Sequence, residues 1–346
     1  MIMTETINST TLGRQLKITE RELMGYSLGG LMYTPAHNKK ACDFLISKKY
    51  SGLRSAAFCL EDAIADGSEA EALNTLENTF TELNKAVNEG QIDTDDLPYL
   101  FVRVKSPEQM KRVFELTENS RIFSGFIFPK FDVENAYIFL ENLLKINETA
   151  DNIIYGMPIL ESVSIADVKS RIENLSKLKV ITDSYREFIV NIRIGGNDFC
   201  SRYGVRRKIN DTIYDIRVIS DIISDIVNIF SADYVVSAPV WEYFENPNDS
   251  SEGWKTGLRT ECEKDIINGL FGKTAIHPSQ LPVIDDVMAV TYSDYMDALS
   301  ILNWNDSSLA VSKSAEGNRM NEQKVHTRWA EKVLLRSAIY GIRENK

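Results

Sequence analysis

Residues 153–161 read Ile-Ile-Tyr-Gly-Met-Pro-Ile-Leu-Glu, an apolar run that ends in a single carboxylate, Glu161. The same pattern of an apolar run followed by an acid recurs before Glu61 and Asp62, and Asp198 follows the next predicted strand after Gly195-Gly196-Asn197. Runs that are apolar throughout are typical of strands buried on both faces of a parallel sheet. Because the carboxyl ends of barrel strands meet at one face, these acids are predicted to converge there.

Short β-rich runs of this kind alternate with helical patterns along most of the chain. The predicted strands are residues 29–34, 55–60, 99–104, 125–128, 153–157, 188–193, 234–236 and 274–276. Eight βα units in ~250 residues predict an α/β fold, the TIM (β/α)8 barrel. The alternative is an open doubly wound sheet, which requires a switch point rather than eight even steps. No GxGxxG dinucleotide motif follows a strand.

The helical patterns and the polar stretches divide the chain into three parts. Predicted helices include residues 68–87, 132–145, 211–230, 281–302 and 323–343, and residues 303–321 are predicted to be a mobile polar loop. We expect an N-terminal extension over residues 1–20 and the barrel with its active site over residues 21–280. Residues 281–346 are expected to form a C-terminal helical appendage that acts as a lid or in oligomerisation.

Composition excludes several classes of function. The chain has 346 residues and a formal net charge of −11, which argues against nucleic acid or an anionic membrane surface as the main partner. The four cysteines are widely spaced, so neither a zinc site nor a disulfide framework is expected. No apolar run reaches the ~18 residues of a transmembrane helix, and no signal peptide is evident. We expect a cytoplasmic protein.

The residues at the predicted strand ends suit metal-assisted chemistry on a carbonyl compound. Glu161 and Asp198, with water, form an oxygen ligand set that suits Mg²⁺, with Mn²⁺ as an alternative. Such a metal polarises a carbonyl and stabilises an enolate. Arg103 would bind a substrate carboxylate or neutralise an enolate oxygen. The set therefore indicates an anionic carbonyl substrate.

Each of these residues also has a structural interpretation. Glu61 and Asp62 would either support the metal ligands or belong to the barrel scaffold. Lys130 would be either a site residue or a solvated loop residue. His277 precedes a proline and is expected to anchor the turn after the last barrel strand. His37 is a weak candidate base. The arginines after Asp198 would bind a phosphate or carboxylate or, as we expect, form a surface ion-pair cluster: Arg202, Arg206 and Arg207.

Several short motifs, in order, resemble the citrate lyase β-subunit-like branch of the HpcH/HpaI aldolase superfamily. The matching segments span about residues 30–325. They are Met32-Tyr33-Thr34-Pro35-Ala36, Leu60-Glu61-Asp62-Ala63-Ile64, Val102-Arg103-Val104, Phe128-Pro129-Lys130, Leu160-Glu161-Ser162, Gly195-Gly196-Asn197-Asp198 and residues 272–280. Within the superfamily, the chain is most similar to the stand-alone C–C bond lyase-like proteins found beside tellurite-resistance genes.

The resemblance implies a TIM barrel, Mg²⁺, and lyase or aldolase chemistry on a 2-oxo acid or an acyl thioester of the citryl-CoA or malyl-CoA type. It implies metal ligation by Glu161 and Asp198 and catalytic roles for Arg103, Glu61 and Asp62. Substrate contacts are implied for Pro35, Arg103, Lys130 and Glu161. It also implies a homotrimer or hexamer in which the C-terminal segment packs on a neighbouring subunit.

The chain departs from the family pattern at four places, one of which is the segment 237–244 after the seventh strand, longer and more aromatic than in the family. Cys59 stands where an Asp usually precedes Leu-Glu-Asp, and Leu28 and Gly29 replace basic residues at the first strand. Asn321 falls where the family often places a lid Asp. These changes leave the predicted metal site intact and leave open whether a CoA thioester binds.

We therefore expect a Mg²⁺-dependent carbon–carbon lyase in which a metal-stabilised enolate forms. Two alternatives stay open. Phosphoryl chemistry on an enolpyruvate-like substrate would need a Gly-rich phosphate loop near the last two strands, and residues 237–244 are not Gly-rich. The second alternative is a non-catalytic barrel subunit of a biosynthetic assembly. An exposed aromatic patch at residues 241–244 would favour this alternative.

Overall fold

All eight predicted strands are present, and their bounds differ from the predicted ones by four residues or fewer. The computed structural model describes residues 18–117, 121–248, 251–304 and 311–343. The barrel strands are β1 Gly30–Pro35, β2 Ser55–Cys59, β3 Tyr99–Arg103, β4 Phe123–Phe128, β5 Tyr155–Leu160, β6 Ile192–Ile194, β7 Val236–Ser237 and β8 Lys273–Ala275.

The strands form one parallel sheet that closes on itself. Their order is β7-β6-β5-β4-β3-β2-β1-β8, so each strand lies beside its neighbour in sequence. A parallel bridge between Ala238 and Lys273 joins the two ends of the sheet. The predicted TIM barrel is therefore confirmed, and the open doubly wound sheet is wrong.

Helices alternate with the barrel strands along the chain, and further helices lie before β1 and after β8. They are α1 Glu20–Ser27, α2 Ala41–Ile46, α3 Glu69–Asn88, α4 Gln109–Leu116, α5 Ala136–Asn147, α6 Val163–Ala166, α7 Arg171–Asp183, α8 Gly196–Tyr203, α9 Arg217–Phe230, α10 Gly253–Ile267, α11 Leu281–Met288, α12 Tyr292–Leu302 and α13 Gln323–Tyr340. Short 3₁₀ turns lie at Thr94–Asp96, Arg186–Phe188, Ile213–Asp215 and Pro278–Gln280.

Aromatic packing fixes the helices against the outer face of the sheet. Phe80 of α3 packs between Phe58 of β2 and Phe123 of β4, with both ring-centroid distances at 5.8 Å. Burial of such rings is the main favourable term in forming the barrel wall. At Gly125 of β4, where φ is 151°, a Cβ atom would lie 2.0 Å from the Tyr155 carbonyl oxygen, so only glycine allows β4 and β5 to pair here.

The chain divides into two compact units. One comprises residues 28–284, which hold the barrel, and the other groups residues up to Ser27 with residues 285–346. In the second unit, α12 and α13 pack around Val290, Ala298, Ile301, Ala330, Val333 and Leu334. The expected extension over residues 1–20 lies mostly outside the described residues. The expected lid or oligomerisation role of the C-terminal segment stays a prediction.

Two predictions for the C-terminal part are wrong in detail. The helix predicted at 281–302 is two helices, because β9, Val290–Thr291, interrupts it and pairs in parallel with β12, Ile342–Arg343. The stretch predicted to be a loop contains an antiparallel pair, β10 Val311–Lys313 and β11 Met320–Glu322. Asn321, the expected lid position, is buried within this unit and donates to Asp297 Oδ1 at 3.2 Å.

Candidate active site

The predicted functional side chains gather at the carboxyl ends of β2 to β6. Glu61 and Asp62 follow β2, Arg103 is the last residue of β3, and Lys130 lies two residues after β4. Glu161 follows β5 directly, and Asp198 lies in the first turn of α8, after β6. We call these six residues the strand-end cluster: Glu61, Asp62, Arg103, Lys130, Glu161 and Asp198. The fold places them where TIM-barrel enzymes hold their active sites.

Arg103 is the centre of the strand-end cluster. Its Nη2 atom lies 2.7 Å from Glu61 Oε2, 3.1 Å from Asp62 Oδ2 and 3.4 Å from Glu161 Oε1. The side chain is only 11% exposed. Burial lowers the pKa of Arg103, but the neighbouring Tyr33, Glu161 and Glu61 outweigh burial and hold it above its usual range. Arg103 is therefore a permanent cation whose charge is already shared among three carboxylates.

Lys130 closes the cluster from the β4 side. Its Nζ pairs with Glu61, and the same nitrogen lies 3.6 Å from Asp62 Oδ1. Its backbone N–H donates to Glu161 Oε1 at 2.9 Å. Lys130 adopts φ of 49°, a left-handed conformation that a residue with a Cβ takes only at a cost. In this conformation the backbone N–H of Lys130 points at Glu161.

Glu161 and Asp198 form a pair of like charges with few counter-charges. Burial raises the pKa of Glu161 to about 8; Arg103 opposes this rise and Asp198 adds to it. Within the described part of the chain, no hydrogen bond or ion pair involves the Asp198 carboxylate. Gly195 leaves room for Glu161, since a Cβ there would lie 2.0 Å from Glu161 Oε2. Two carboxylates, one without a partner, are an arrangement that a divalent cation would stabilise.

The donor set, two carboxylates, fits a hard cation such as Mg²⁺ or Mn²⁺. No group of three or more His, Cys, Asp or Glu side chains suited to a metal occurs among the described residues. Mg²⁺ is commonly held by one or two carboxylates, with water and substrate oxygens completing the shell. Glu161 and Asp198 therefore fit the predicted magnesium site, and water and substrate would supply the remaining ligands.

The other residues considered from sequence lie outside the strand-end cluster or at its edge. Pro35 ends β1 and lines a groove of about 390 Å³ together with Tyr33, Lys40 and Lys49. His277 Nδ1 lies 2.8 Å from Ser279 Oγ and accepts from the Ser279 N–H, as a turn anchor would.

The arginine cluster predicted at the surface is wrong for Arg207. Arg206 pairs with Glu242 and its side chain is 79% exposed, as expected, but the Arg207 side chain is fully buried. Arg207 Nη1 donates to both carboxylate oxygens of Glu261 at 2.7 Å. Spacing along the sequence did not show that the loop after α8 folds Arg207 against α10.

Two residues in the barrel interior were not predicted from the sequence to belong to the site. Arg193, within β6, is 2% exposed and donates from Nη2 to Thr274 Oγ1 of β8 at 2.7 Å. The Tyr33 hydroxyl, on β1, interacts electrostatically with Arg193, Arg103 and Glu161. The available signal was a charged residue between Ile192 and Ile194, in a strand that is otherwise apolar.

A family model described as C-C Bond Lyase of the TIM-Barrel fold matches residues 22–342, nearly the whole chain. The chain belongs to this family. It is accordingly a carbon–carbon lyase of TIM-barrel fold, and the family prediction is confirmed. A search of curated proteins finds no significant match.

Solved structures support the fold. The chain is similar to the Mycobacterium tuberculosis protein CitE in complex with magnesium, acetoacetate and coenzyme A, with 17% identity, a TM-score of 0.60 and coverage of 90% of this chain and 99% of that one. It is also similar to RipC from Yersinia pestis, with 17% identity, a TM-score of 0.51, and 76% and 95% coverage. The M. tuberculosis citrate lyase β subunit complexed with oxaloacetate and magnesium gives 16% identity, a TM-score of 0.52, and 76% and 98% coverage. At these identities the likeness establishes the fold alone.

Proposed function

We propose that this protein is a Mg²⁺-dependent carbon–carbon lyase that acts on a 2-oxo acid or an acyl thioester. The observation that carries the proposal is the pair of Glu161 and Asp198, two acids that follow adjacent barrel strands, one of them without a counter-charge. Glu161 and Asp198 would hold a magnesium ion, whose charge, when bound, would polarise a substrate carbonyl and stabilise developing enolate charge. Bound magnesium in the solved structures of CitE supports the choice of cation.

Arg103 and Lys130 would position the two acids that handle the proton. Arg103 Nη2 holds Glu61 at 2.7 Å and Asp62 at 3.1 Å, while Lys130 binds Glu61 from the other side. Asp62 is partly buried, but hydrogen bonding to Glu61 and the charges of Arg103 and Lys130 outweigh that burial and lower its pKa. Asp62 is thus an ionised, half-exposed carboxylate beside the cation pair. Either Asp62 or Glu61 would relay a proton between substrate and water.

The substrate would approach from the groove that Pro35 lines. Lys40 and Lys49 line this groove against one acid, Asp43, so its lining carries an excess of positive charge that favours an anionic ligand. Oxaloacetate, acetoacetate and coenzyme A in the complexes of CitE and the citrate lyase β subunit support a small carbonyl acid, with a CoA thioester as a further candidate. A homotrimer or hexamer remains part of this proposal. Among the described residues, no helix is long and apolar enough to cross a membrane.

The two other candidate functions gain no support from the loop after β7. Trp241 is fully buried there and Tyr243 donates to the Arg207 carbonyl, so an exposed aromatic patch of the kind a scaffold subunit would present does not span residues 241–244. The same aromatic side chains occupy the place where a Gly-rich phosphate loop would be required.

A cleavage assay tests the proposal. Purified protein with Mg²⁺ would be incubated with oxaloacetate, citramalate and a malyl thioester, and products would be followed by proton NMR. We expect cleavage of at least one compound, dependent on Mg²⁺ and abolished in Asp198→Asn. Full activity in Asp198→Asn, or cleavage that is insensitive to chelation, would contradict the assignment.

A further inference from the structure

Arg193 is a buried cation whose hydrogen-bonding capacity is largely unused. Its side chain is 2% exposed, and Nη2 donates to Thr274 Oγ1 at 2.7 Å. The other two nitrogens, Nε and Nη1, have no hydrogen-bond partner. Burial lowers the pKa of Arg193, and the influences that oppose burial come from the Tyr33 hydroxyl rather than from a carboxylate. A guanidinium buried in this way destabilises the free protein unless an anion completes it.

Arg171 shows how this protein supplies hydrogen-bond and ion-pair partners to a buried arginine elsewhere. Arg171 is 4% exposed, nearly as buried as Arg193. Its Nε and Nη2 donate to the carbonyl oxygens of Ile165 and Ala166, both at 2.9 Å, and its Nη1 pairs with Asp225 Oδ2 at 2.9 Å. The chain therefore satisfies a structural arginine with its own oxygens. Arg193 has one such oxygen, Thr274 Oγ1, and none for its Nε and Nη1 atoms, which points to a partner supplied from outside.

Arg193 lies one step deeper in the barrel than the proposed magnesium ligands. In the β5–β6 register, Arg193 pairs with Ile159, two residues before Glu161. The Tyr33 hydroxyl is within electrostatic reach of Arg193, Arg103 and Glu161 together. Tyr33 also lines the groove of about 390 Å³. A ligand that enters along this groove and reaches Glu161 would thus also come close to Tyr33 and Arg193.

We propose that Arg193 and Tyr33 form a second anion subsite that binds the substrate carboxylate remote from the magnesium-chelating end. This inference rests on the proposed function and narrows the substrate class to acids with two carboxylates. Arg103 is less suited to this task, because three carboxylates of the protein already share its charge. One guanidinium balances one carboxylate, whereas a phosphate dianion would leave a charge uncompensated at this depth.

Ordered water is the alternative occupant. Asn191, two residues before Arg193, is fully buried, and neither its side-chain oxygen nor its nitrogen has a hydrogen-bond partner. Waters that bridge Asn191 and Arg193 would satisfy both side chains without any ligand. In that case Arg193 would be a structural residue and its replacement would not discriminate between ligands.

Titration calorimetry with (S)-malate and (S)-lactate tests the proposal, because these stable 2-hydroxy acids differ by one carboxylate. In the presence of Mg²⁺, we expect wild type to bind malate more tightly than lactate. In Arg193→Met the ratio of the two affinities should fall at least ~10-fold, since a lost charge-assisted contact is worth about that factor. In Arg171→Met, the matched control, the ratio should not change.

Two binding outcomes would overturn the subsite. One is an unchanged ratio of malate to lactate affinity in Arg193→Met, which includes an equal loss of affinity for both acids. The other is no malate binding to wild type. Stability gives a second readout. Removing an unpaired buried charge should leave the urea midpoint of Arg193→Met equal to or above that of wild type, whereas Arg171→Met should lower it. A lower midpoint for both variants would make Arg193 structural, held by water.

Tyr33→Phe keeps the proposal testable if Arg193→Met does not fold. The variant removes one hydroxyl, and we expect malate affinity to fall about threefold to tenfold with lactate affinity unchanged. Equal affinities for malate in Tyr33→Phe and wild type would then overturn the subsite. Failure of the proposed function is distinguishable, because it would appear as absence of Mg²⁺ binding by wild type, whereas the malate-to-lactate ratio is measurable with and without Mg²⁺.

Discussion

The barrel carries two clusters of charged side chains that differ in how completely their charges are paired. The strand-end cluster holds two cations, Arg103 and Lys130, against four carboxylates, and it opens to solvent where the Asp62 side chain is 58% exposed. The second cluster, which we call the buried network, consists of Arg207, Glu261, Asp265 and Lys273, with all four side chains fully buried.

The buried network is balanced and closed. Lys273 Nζ, on β8, lies 2.9 Å from Glu261 Oε1 and 2.8 Å from Asp265 Oδ2, while Arg207 pairs with Glu261 at 2.7 Å. Tyr214 donates its hydroxyl to Asp265 at 2.6 Å. Within the network two cations face two acids, and Glu242 lies 3.9 Å from Arg207 Nη2 at its edge, so the chain itself supplies every counter-charge. It ties β8 and α10 to the loop after α8.

The strand-end cluster has an excess of negative charge, which a divalent cation would neutralise. When all four of its acids are ionised, its carboxylates outnumber its cations by two, the charge of one Mg²⁺. The comparison indicates that a charged cluster is structural where the chain pairs its own charges, whereas an excess of one sign of charge is what we expect of a ligand site. Replacing a member of each cluster should therefore change different properties.

The largest expected effect on stability is from Lys273→Met. Removing one partner of a buried ion network leaves uncompensated acids, which costs about 3–5 kcal/mol in the free energy of unfolding. Urea denaturation would measure this loss. Lys264→Met is the matched control on the same helix-and-loop region; Lys264 contacts Thr212 and Asp215 but is 38% exposed, so it should cost less than ~1 kcal/mol. Equal midpoints for the two variants would remove the distinction between the clusters.

A smaller effect, on cation binding rather than stability, is expected from Glu61→Gln. The change frees Arg103 to pair more closely with Glu161 and so to compete with a bound cation. We expect Mn²⁺ affinity, measured by electron paramagnetic resonance titration, to fall about 10-fold to 100-fold, as for other residues that orient metal ligands. Glu69→Gln, an acid that contacts Lys105 and Gln109 outside the strand-end cluster, should bind Mn²⁺ as wild type does. A wild-type affinity in Glu61→Gln would make Glu61 part of the scaffold only.

The smallest expected effect concerns the left-handed backbone at Lys130. Lys130→Gly should be more stable than Lys130→Ala by about 1 kcal/mol, because glycine adopts φ near 49° without strain. Urea midpoints of the two variants give this difference. Lys48, with φ of 50°, allows the same pair of substitutions at a site remote from the cluster, and a similar difference is expected there. If the alanine and glycine variants had equal urea midpoints at Lys130 but different ones at Lys48, the backbone at Lys130 would relax when its side chain is removed.

The barrel and most of its strand-end residues could be predicted from the sequence because both depend on local pattern. Apolar runs that end in Glu61, Arg103 or Glu161 mark strands and, through the parallel topology, their common end. The break in the helix predicted at 281–302 could not be predicted, since Val290–Thr291 is a strand only by pairing with Ile342–Arg343, more than fifty positions away. Tertiary pairing overrides local propensity there.

Burial of charge was the other property that the sequence did not reveal. Arg207 and Lys273 look like ordinary surface cations until their contacts with Glu261 are known. Arg193 sits in an apolar strand, and only its place inside the barrel shows that two of its nitrogens lack partners. Whether a charge is paired is a three-dimensional property, so the strand-end cluster could be predicted as a set of residues but not as an unbalanced one.

The central claim, that Glu161 and Asp198 hold a divalent cation, is tested most directly by Mn²⁺ binding followed through water-proton relaxation. The samples are wild type, Asp198→Asn and, as control, Asp211→Asn, whose carboxylate only caps Lys208. We expect enhanced relaxation in wild type and in the control, altered by added oxaloacetate, and an affinity lower by on the order of 100-fold or more in Asp198→Asn. Equal Mn²⁺ binding by Asp198→Asn and wild type, or no binding by wild type, would contradict the claim.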